Sequence, residues 1–267
     1  MNLDNIKVSI ITINYNAAED LRKTISSVVN QTYRHIEFIV IDGGSTDGSQ
    51  SVIHEYSDHI NYWVSEPDGG IFNAMNKGII ASSGEYLIFI NSGDVIAGPG
   101  VVASVVDSDL TADIVYGNLI FSNGISLRHW IPDAVPTFRT FFRESIPHPS
   151  AFIKRALFNV VGLYNEQFKI VADWEFFMLA LCRYNCSYKY IDRVIAVFEE
   201  GGISSNPANY SAMVLERNAV LSQHFPFFVK DYEDFDILER EFKKIEHFAN
   251  ARYAVKRALK KLNLGPS

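Results

Sequence analysis

Asp94 ends the run Tyr-Leu-Ile-Phe-Ile-Asn-Ser-Gly-Asp, residues 86–94, so a carboxylate follows an apolar strand on a turn that contains Gly93. In that place it can hold a divalent cation such as Mg2+ or Mn2+, which prefers oxygen ligands and bridges phosphates. Read alone, Asn91-Ser92-Gly93-Asp94 is also an ordinary turn. A second acidic group, Asp42, opens the loop Asp-Gly-Gly-Ser-Thr-Asp-Gly-Ser, residues 42–49. Asp42 can accept hydrogen bonds from a nucleobase imide or a ribose hydroxyl, and Asp47 can cap the helix that follows. Glu66-Pro67-Asp68-Gly69-Gly70 precedes a helical stretch with Asn73, Asn76 and Lys77. Its glycines let backbone approach a ligand and a helix N-terminus favours anions, although a capping turn explains the same residues. The third acidic cluster is Asp173-Trp174-Glu175 at the start of an apolar helix. A carboxylate there can take a proton from an attacking hydroxyl, or it can simply complement the helix dipole.

These groups need a frame that gathers distant segments. Val8–Ile13 is a continuous β-prone run, as expected of a strand buried on both faces. Residues 20–30 follow with Leu21, Ile25, Val28 and Val29 at helical spacing, then a strand over 37–41 and a helix over 49–56. A strand near 61–64, a helix over 72–81 and a buried strand over 86–90 complete the first hundred residues. This alternation implies an α/β fold with a mostly parallel sheet flanked by helices. Ligands bind such sheets beyond the carboxyl ends of their strands, where Asn14-Tyr15-Asn16, Asp42–Asp47 and Asn91–Asp94 all fall. Farther on, 114–116 reads as a strand, 117–149 is less regular, 173–184 returns to helical spacing, and 188–197 reads as a strand. One domain over 1–205 is expected, its halves meeting near 98/99, with a C-terminal helical extension over 206–267. Within that extension, about 242–262 is a basic amphipathic helix. Its apolar Phe242, Ile245, Phe248, Val255, Leu259 and Leu262 lie among seven lysines and arginines, a pattern able to lie on an anionic membrane surface or pack on the domain.

Composition narrows the classes. A chain of 267 residues with 48% hydrophobic and 21% charged residues is globular, and a net charge of −7 argues against a general nucleic-acid binder. No run approaches the roughly 20 apolar residues that span a bilayer, and no signal peptide is read at the N-terminus. Cys182 and Cys186, four apart, are expected as two buried reduced thiols on one helix face, which points to a cytoplasmic protein. A Gly-x-Gly-x-x-Gly fingerprint and a Walker A lysine are both missing, which excludes dinucleotide and P-loop readings.

Several ordered motifs together carry a resemblance. Val-Ser-Ile-Ile-Thr-Ile-Asn-Tyr-Asn (8–16), Ser-Val-Val-Asn-Gln-Thr-Tyr (27–33) and Glu-Phe-Ile-Val-Ile-Asp-Gly-Gly-Ser-Thr-Asp-Gly-Ser (37–49) are three of them. Glu-Pro-Asp-Gly-Gly-Ile-Phe-Asn-Ala-Met-Asn-Lys-Gly-Ile (66–79) and Gly-Glu-Tyr-Leu-Ile-Phe-Ile-Asn-Ser-Gly-Asp (84–94) complete the set. From Val8 to about Val197 the chain resembles glycosyltransferase family 2, inverting enzymes of the GT-A fold with a Rossmann-like nucleotide-binding half. The resemblance implies a nucleotide-sugar donor, with a UDP-sugar favoured, bound by Tyr15, Asp42, Asp68, Asn73, Lys77, Asn91 and Asp94. Tyr15 and Asp42 would meet the base, and Asp94 would be the metal-binding carboxylate of an Asp-x-Asp motif reduced here to one Asp. Asp173 aligns with the family's catalytic aspartate, Ala172 standing where a glutamate is usual, and Glu175 is the alternative base. His148, in His-Pro-Ser, and Trp174 would meet a saccharide acceptor. Gly201–Ser204 resembles a mobile segment that closes over the donor. The cofactor implied is Mn2+ or Mg2+.

The same motifs are similar to those of enzymes building bacterial capsule, exopolysaccharide or O-antigen on lipid carriers. This implies a lipid-linked acceptor and a peripheral place on the inner face of the membrane. A nucleotidyltransferase and a non-catalytic sugar-nucleotide-binding scaffold remain as alternatives.

Overall fold

The computed structural model describes residues 6–108 and 110–261, with side chains through Glu246. β-Branched and aromatic runs become the strands: β1 (Val8–Asn14), β2 (Ile36–Asp42), β3 (Tyr62–Ser65), β4 (Tyr86–Phe89) and β5 (Val95–Ile96). Amphipathic stretches between them become α1 (Ala18–Val29), α2 (Ser49–Glu55) and α3 (Ile71–Ala81), followed by α4 (Val101–Asp107). The sheet order is β3-β2-β1-β4, parallel throughout, in register from Val8↔Ile36 to Asn14↔Asp42. It continues through β8 (Ala151–Lys154), β6 (Ile114–Ser122) and β9 (Tyr188–Glu199) to β5, and β7 (Leu127–Trp130) pairs with β6. β6 and β9 are parallel, while β8 runs antiparallel to both β4 and β6. The strands β1, β2 and β4 are buried on both faces, and Ile10, Val40 and Ile88 pack with Leu21, Ile25, Val52, Val102 and Val105 of the helices. This is the mostly parallel sheet with flanking helices that the alternation implies.

Beyond the first half, several boundaries differ from the sequence reading. The irregular 117–149 segment holds the rest of β6, the β6–β7 hairpin and α5 (Phe138–Arg143), whose Thr137 and Thr140 form a capping box. α6 (Leu157–Val161) follows β8. The helix expected over 173–184 is α7 (Ala172–Met178) continued by a π turn, Leu179–Arg183, which a 3.6-residue period does not reveal. Cys182 therefore sits in the π turn and Cys186 beyond the helix. Both thiols are free and half-buried, not fully buried; burial pushes Cys182 up to about 11.

The chain divides into two compact units, Met1–Arg217 and Asn218–Ser267, and the division falls within α8 (Tyr210–His224). In the second unit, α9 (Pro226–Lys261) starts well before the expected 242. Its described part carries acids and bases interleaved, with ion pairs Lys230–Asp234, Arg240–Asp236 and Lys243–Glu239 one turn apart. The basic stretch expected beyond Glu246 lies outside the residues whose side chains are described. Among the described residues no helix is long and apolar enough to cross a membrane.

Two contacts seat the later part of α3. A Cβ on Gly78 would lie 2.4 Å from Ile11 Cγ2, so glycine lets this helix lie tightly on β1. Asn76 then pairs with the backbone of Tyr164, donating to its C=O at 2.8 Å and accepting its N–H at 3.0 Å. The Tyr164 ring packs among Phe72, Phe89, Phe158 and Phe176, and its buried hydroxyl has no hydrogen-bond partner. An unpaired buried hydroxyl costs free energy, so Tyr164→Phe should raise unfolding stability by about 1 kcal/mol. Urea unfolding checks this; a loss of stability would mean that the hydroxyl is paired in solution.

Candidate active site

The loops after β1, β2 and β4 are laced together at the carboxyl edge of the sheet. Asn14, the last residue of β1, donates to Asp42 at 2.7 Å and to Ser45 Oγ at 3.2 Å, and accepts from Ser92 Oγ at 2.8 Å. Asn16 takes a left-handed φ of 48° and exchanges bonds with Ser45 and Thr46. Asp47 accepts from the N–H of Ser49 and from the N–H of Ala18, so it serves the starts of both α1 and α2. Above these loops lies a cleft of about 710 Å³.

At one side of the cleft, Tyr15, Gly43 and Asp68 come together. The Tyr15 ring is 68% exposed, and a side chain on Gly43 would lie 2.7 Å from Asp68 Oδ2 and 3.2 Å from Tyr15 Cδ2. A planar ring and a carboxylate beside bare backbone make a slot suited to a base and ribose. Ile71, Phe72, Ala74 and Met75 of α3 line the adjoining wall.

Asp94 stands in the cleft on a tight turn. Gly93 has φ 102°, a conformation that favours glycine, and buried Thr24 of α1 ties the turn down by donating to Asp94 O at 2.7 Å and accepting the Gly93 N–H. Asp94 is 4% exposed and accepts the Glu199 N–H at 3.1 Å. Burial pushes its carboxyl up to about 7, with His148 and the Glu199 N–H pulling the other way. Glu199 also lines the cleft, and Asn91 Oδ1 is buried without a partner. Among the described residues no three acidic, histidine or cysteine groups could enclose a metal unaided. A single buried carboxylate with amide and carboxylate oxygens nearby fits a cation that takes its remaining ligands from water and phosphates, as Mg2+ characteristically does.

Asp173 lies on the same cleft, at the start of α7. Its Oδ2 is 3.0 Å from His148 Nδ1, and His148 Nε2 is 3.1 Å from Asn91 Nδ2. The Asp173 carboxylate can only accept, so His148 Nδ1 donates to it, while Nε2 faces the Asn91 amide. The chain thus links the carboxylate of α7 to the Asn91–Asp94 turn through one ring. Lys169, Ile170 and Gly202–Ser204 close the rim.

Of the residues singled out by sequence, Tyr15, Asp68, Asn91, Asp94, His148 and Asp173 line this cleft, and five others do not. Asp42 is fully buried beneath it, its carboxylate already accepting from Asn14, Ser45 N–H and Oγ, and Ser65. Asn73 and Lys77, one turn apart on α3, face away and bind Glu166 (2.9 Å) and Glu66 (2.7 Å). Glu175, two residues past Asp173 and so on the opposite side of the helix, is 6% exposed, with burial pushing its carboxyl up. Trp174 is buried with its Nε1 on Phe141 O at 2.8 Å. Thr24, Glu199 and Lys169 escaped the sequence reading. Only Glu199, two residues past a strand-like run, sat where a search of strand ends could have found it.

Comparison with known proteins agrees with this architecture. The model of Glycosyl transferase family 2 matches residues 9–163. An uncharacterized glycosyltransferase of Mycobacterium tuberculosis (strain CDC 1551 / Oshkosh) is 34% identical over 229 residues, covering 82% of this chain and 86% of that one. A PGL/p-HBAD biosynthesis glycosyltransferase of Mycobacterium bovis (strain BCG / Pasteur 1173P2) is 28% identical, covering 74% and 78%. Among solved structures, S. aureus TarS with UDP-GlcNAc superposes with a TM-score of 0.61 at 20% identity, covering 83% of this chain and 73% of TarS. The Pyrobaculum calidifontis mannosyltransferase PcManGT with GDP-Man and Mn2+ gives 0.59 at 19%, covering 85% and 65%. These two likenesses are of fold alone, and this chain spans about two thirds of the length of the second. The chain belongs to glycosyltransferase family 2, and it is a glycosyltransferase of the GT-A fold.

Proposed function

We propose that the protein transfers a sugar from a nucleotide donor, a UDP-sugar for preference, to a saccharide hydroxyl with inversion at the anomeric carbon. The observation that carries this is the presence of Asp94 and Asp173 on one cleft, beside the Tyr15–Gly43–Asp68 slot. In this reading the base stacks at Tyr15, Asp68 meets the ribose, and the diphosphate lies toward Asp94. A divalent cation held by Asp94 would neutralise the charge that develops on the leaving diphosphate. Asp173 takes the proton of the acceptor hydroxyl while that oxygen attacks the sugar from the face opposite the nucleotide. His148 holds the Asp173 carboxylate and bounds the acceptor side. Asp42 acts from below, fixing Asn14 and Ser45, and would reach a base only by releasing Ser45 or Ser65. The neighbours' complexes with UDP-GlcNAc and with GDP-Man and Mn2+ support the donor class and the cation.

The acceptor in this reading is carried on a lipid, and α9 lies at a membrane surface. Support comes from the run after Glu246, which has Arg252, Lys256, Arg257, Lys260 and Lys261 and no acidic residue. The stereochemical claim is tested by slow donor hydrolysis followed by proton NMR. An α-linked donor should first release the β-sugar; first release of the α-sugar would contradict a single displacement.

A further inference from the structure

We propose that Glu216 is a positioning residue for Asp173, its carboxylate fixing the backbone from which the proton acceptor is presented. This rests on the reading of Asp173 as that acceptor. α7 begins without a side-chain cap, and Val171, at the cap position, has no acceptor to offer. Backbone N–H groups leading into such a helix need partners from elsewhere. Glu216, on α8, accepts all three: Lys169 N–H at 2.9 Å on Oε1, and Ile170 and Val171 N–H at 3.0 and 3.2 Å on Oε2. Bonds to an ionised carboxylate are the stronger kind, and three in succession leave residues 169–171 little freedom.

That short segment matters because Lys169, Ile170 and Asp173 are all on the cleft wall, whereas Glu216 is not. The next residue of α8, Arg217, lies over the Trp174 ring at 4.9 Å, so α8 holds the chain on both sides of Asp173. His148 orients the Asp173 carboxylate, and Glu216 sets the point from which that carboxylate starts. The effect of Glu216 on transfer must therefore pass through the backbone and not through the substrate.

The test compares Glu216→Gln and Glu216→Ala in the full chain, with exposed Leu215→Ala on the same helix as control. A displacement near 1 Å can cost about 10²-fold, so kcat should fall about ten- to a hundredfold while donor Kd by titration calorimetry moves by no more than about twofold. Formate, small enough to sit among the three freed N–H groups, should restore part of the kcat of Glu216→Ala. An unchanged kcat in both variants would overturn the proposal. So would a parallel loss of kcat, donor affinity and thermal midpoint that formate does not relieve. Asp173→Asn, measured alongside, separates the two claims. If it turns over normally, the base and its positioning fall together; if it is inactive while Glu216→Gln and Glu216→Ala are normal, only the positioning role falls.

Discussion

Asp173→Asn should fold like the parent, bind donor with unchanged affinity, and lose about 10²–10⁴-fold in turnover, the usual contribution of a positioned general base. The substitution keeps the shape and one carbonyl oxygen, so the bond from the Trp174 N–H at 2.9 Å can persist. What disappears is the carboxylate that takes the acceptor proton, and with it the charge facing His148 Nδ1 at 3.0 Å. Steady-state kinetics at saturating donor, with donor Kd measured separately, resolves the two quantities. Glu175→Gln is the informative comparator, because Glu175 is buried on the other side of α7. Near-normal turnover in Asp173→Asn together with loss in Glu175→Gln would move the base two residues along and contradict the account.

Asp94→Asn should have opposite effects on stability and on activity. With no cation bound, burial raises the Asp94 carboxyl to about 7, so the folded state binds its proton more tightly than the unfolded chain does. The stability associated with that proton is fully present below the unfolded value near 4 and is lost as pH rises through about 7. At pH 8 the metal-free protein therefore carries a buried, unpaired charge. Its removal in Asp94→Asn should add on the order of 2 kcal/mol of unfolding stability. The same change should remove the cation's hold on the leaving diphosphate and cost about 10²–10³-fold in turnover. In the parent, stabilisation by Mn2+ with nucleotide should grow from pH 6 to pH 8 as the proton stops competing. Urea unfolding at both pH values, with and without Mn2+, reads all of this. A destabilised Asp94→Asn protein that kept full metal response would show that the cation is held elsewhere.

The alternation of strands and helices over residues 8–90 was legible because apolar β-prone runs and 3.6-residue spacing are local properties. So was the placing of Tyr15 and Asp94, since strand ends in such sheets face the ligand. What local pattern could not supply was direction. Asp173 and Glu175 are equivalent as letters, and only the rotation of α7 sends one into the cleft and the other into the core. Asp42 and Trp174 have chemistry suited to ligands, yet their polar atoms are already engaged by Asn14, Ser45, Ser65 and Phe141, partners up to 33 residues away in the chain. Lys77, which the resemblance assigns to the donor site, is turned to Glu66. Glu216 lies on a helix of ordinary polar pattern, and nothing in its surroundings marks it as the partner of three backbone donors.

The most direct test of the central claim, that Asp94 and Asp173 serve one nucleotide-sugar site, is donor binding and turnover across UDP-, GDP- and dTDP-sugars, each with Mn2+ and with EDTA. The account predicts that one nucleotide, UDP for preference, raises the thermal midpoint and is slowly hydrolysed with Mn2+, and that EDTA abolishes both effects. Failure of every donor to bind under either condition would contradict it.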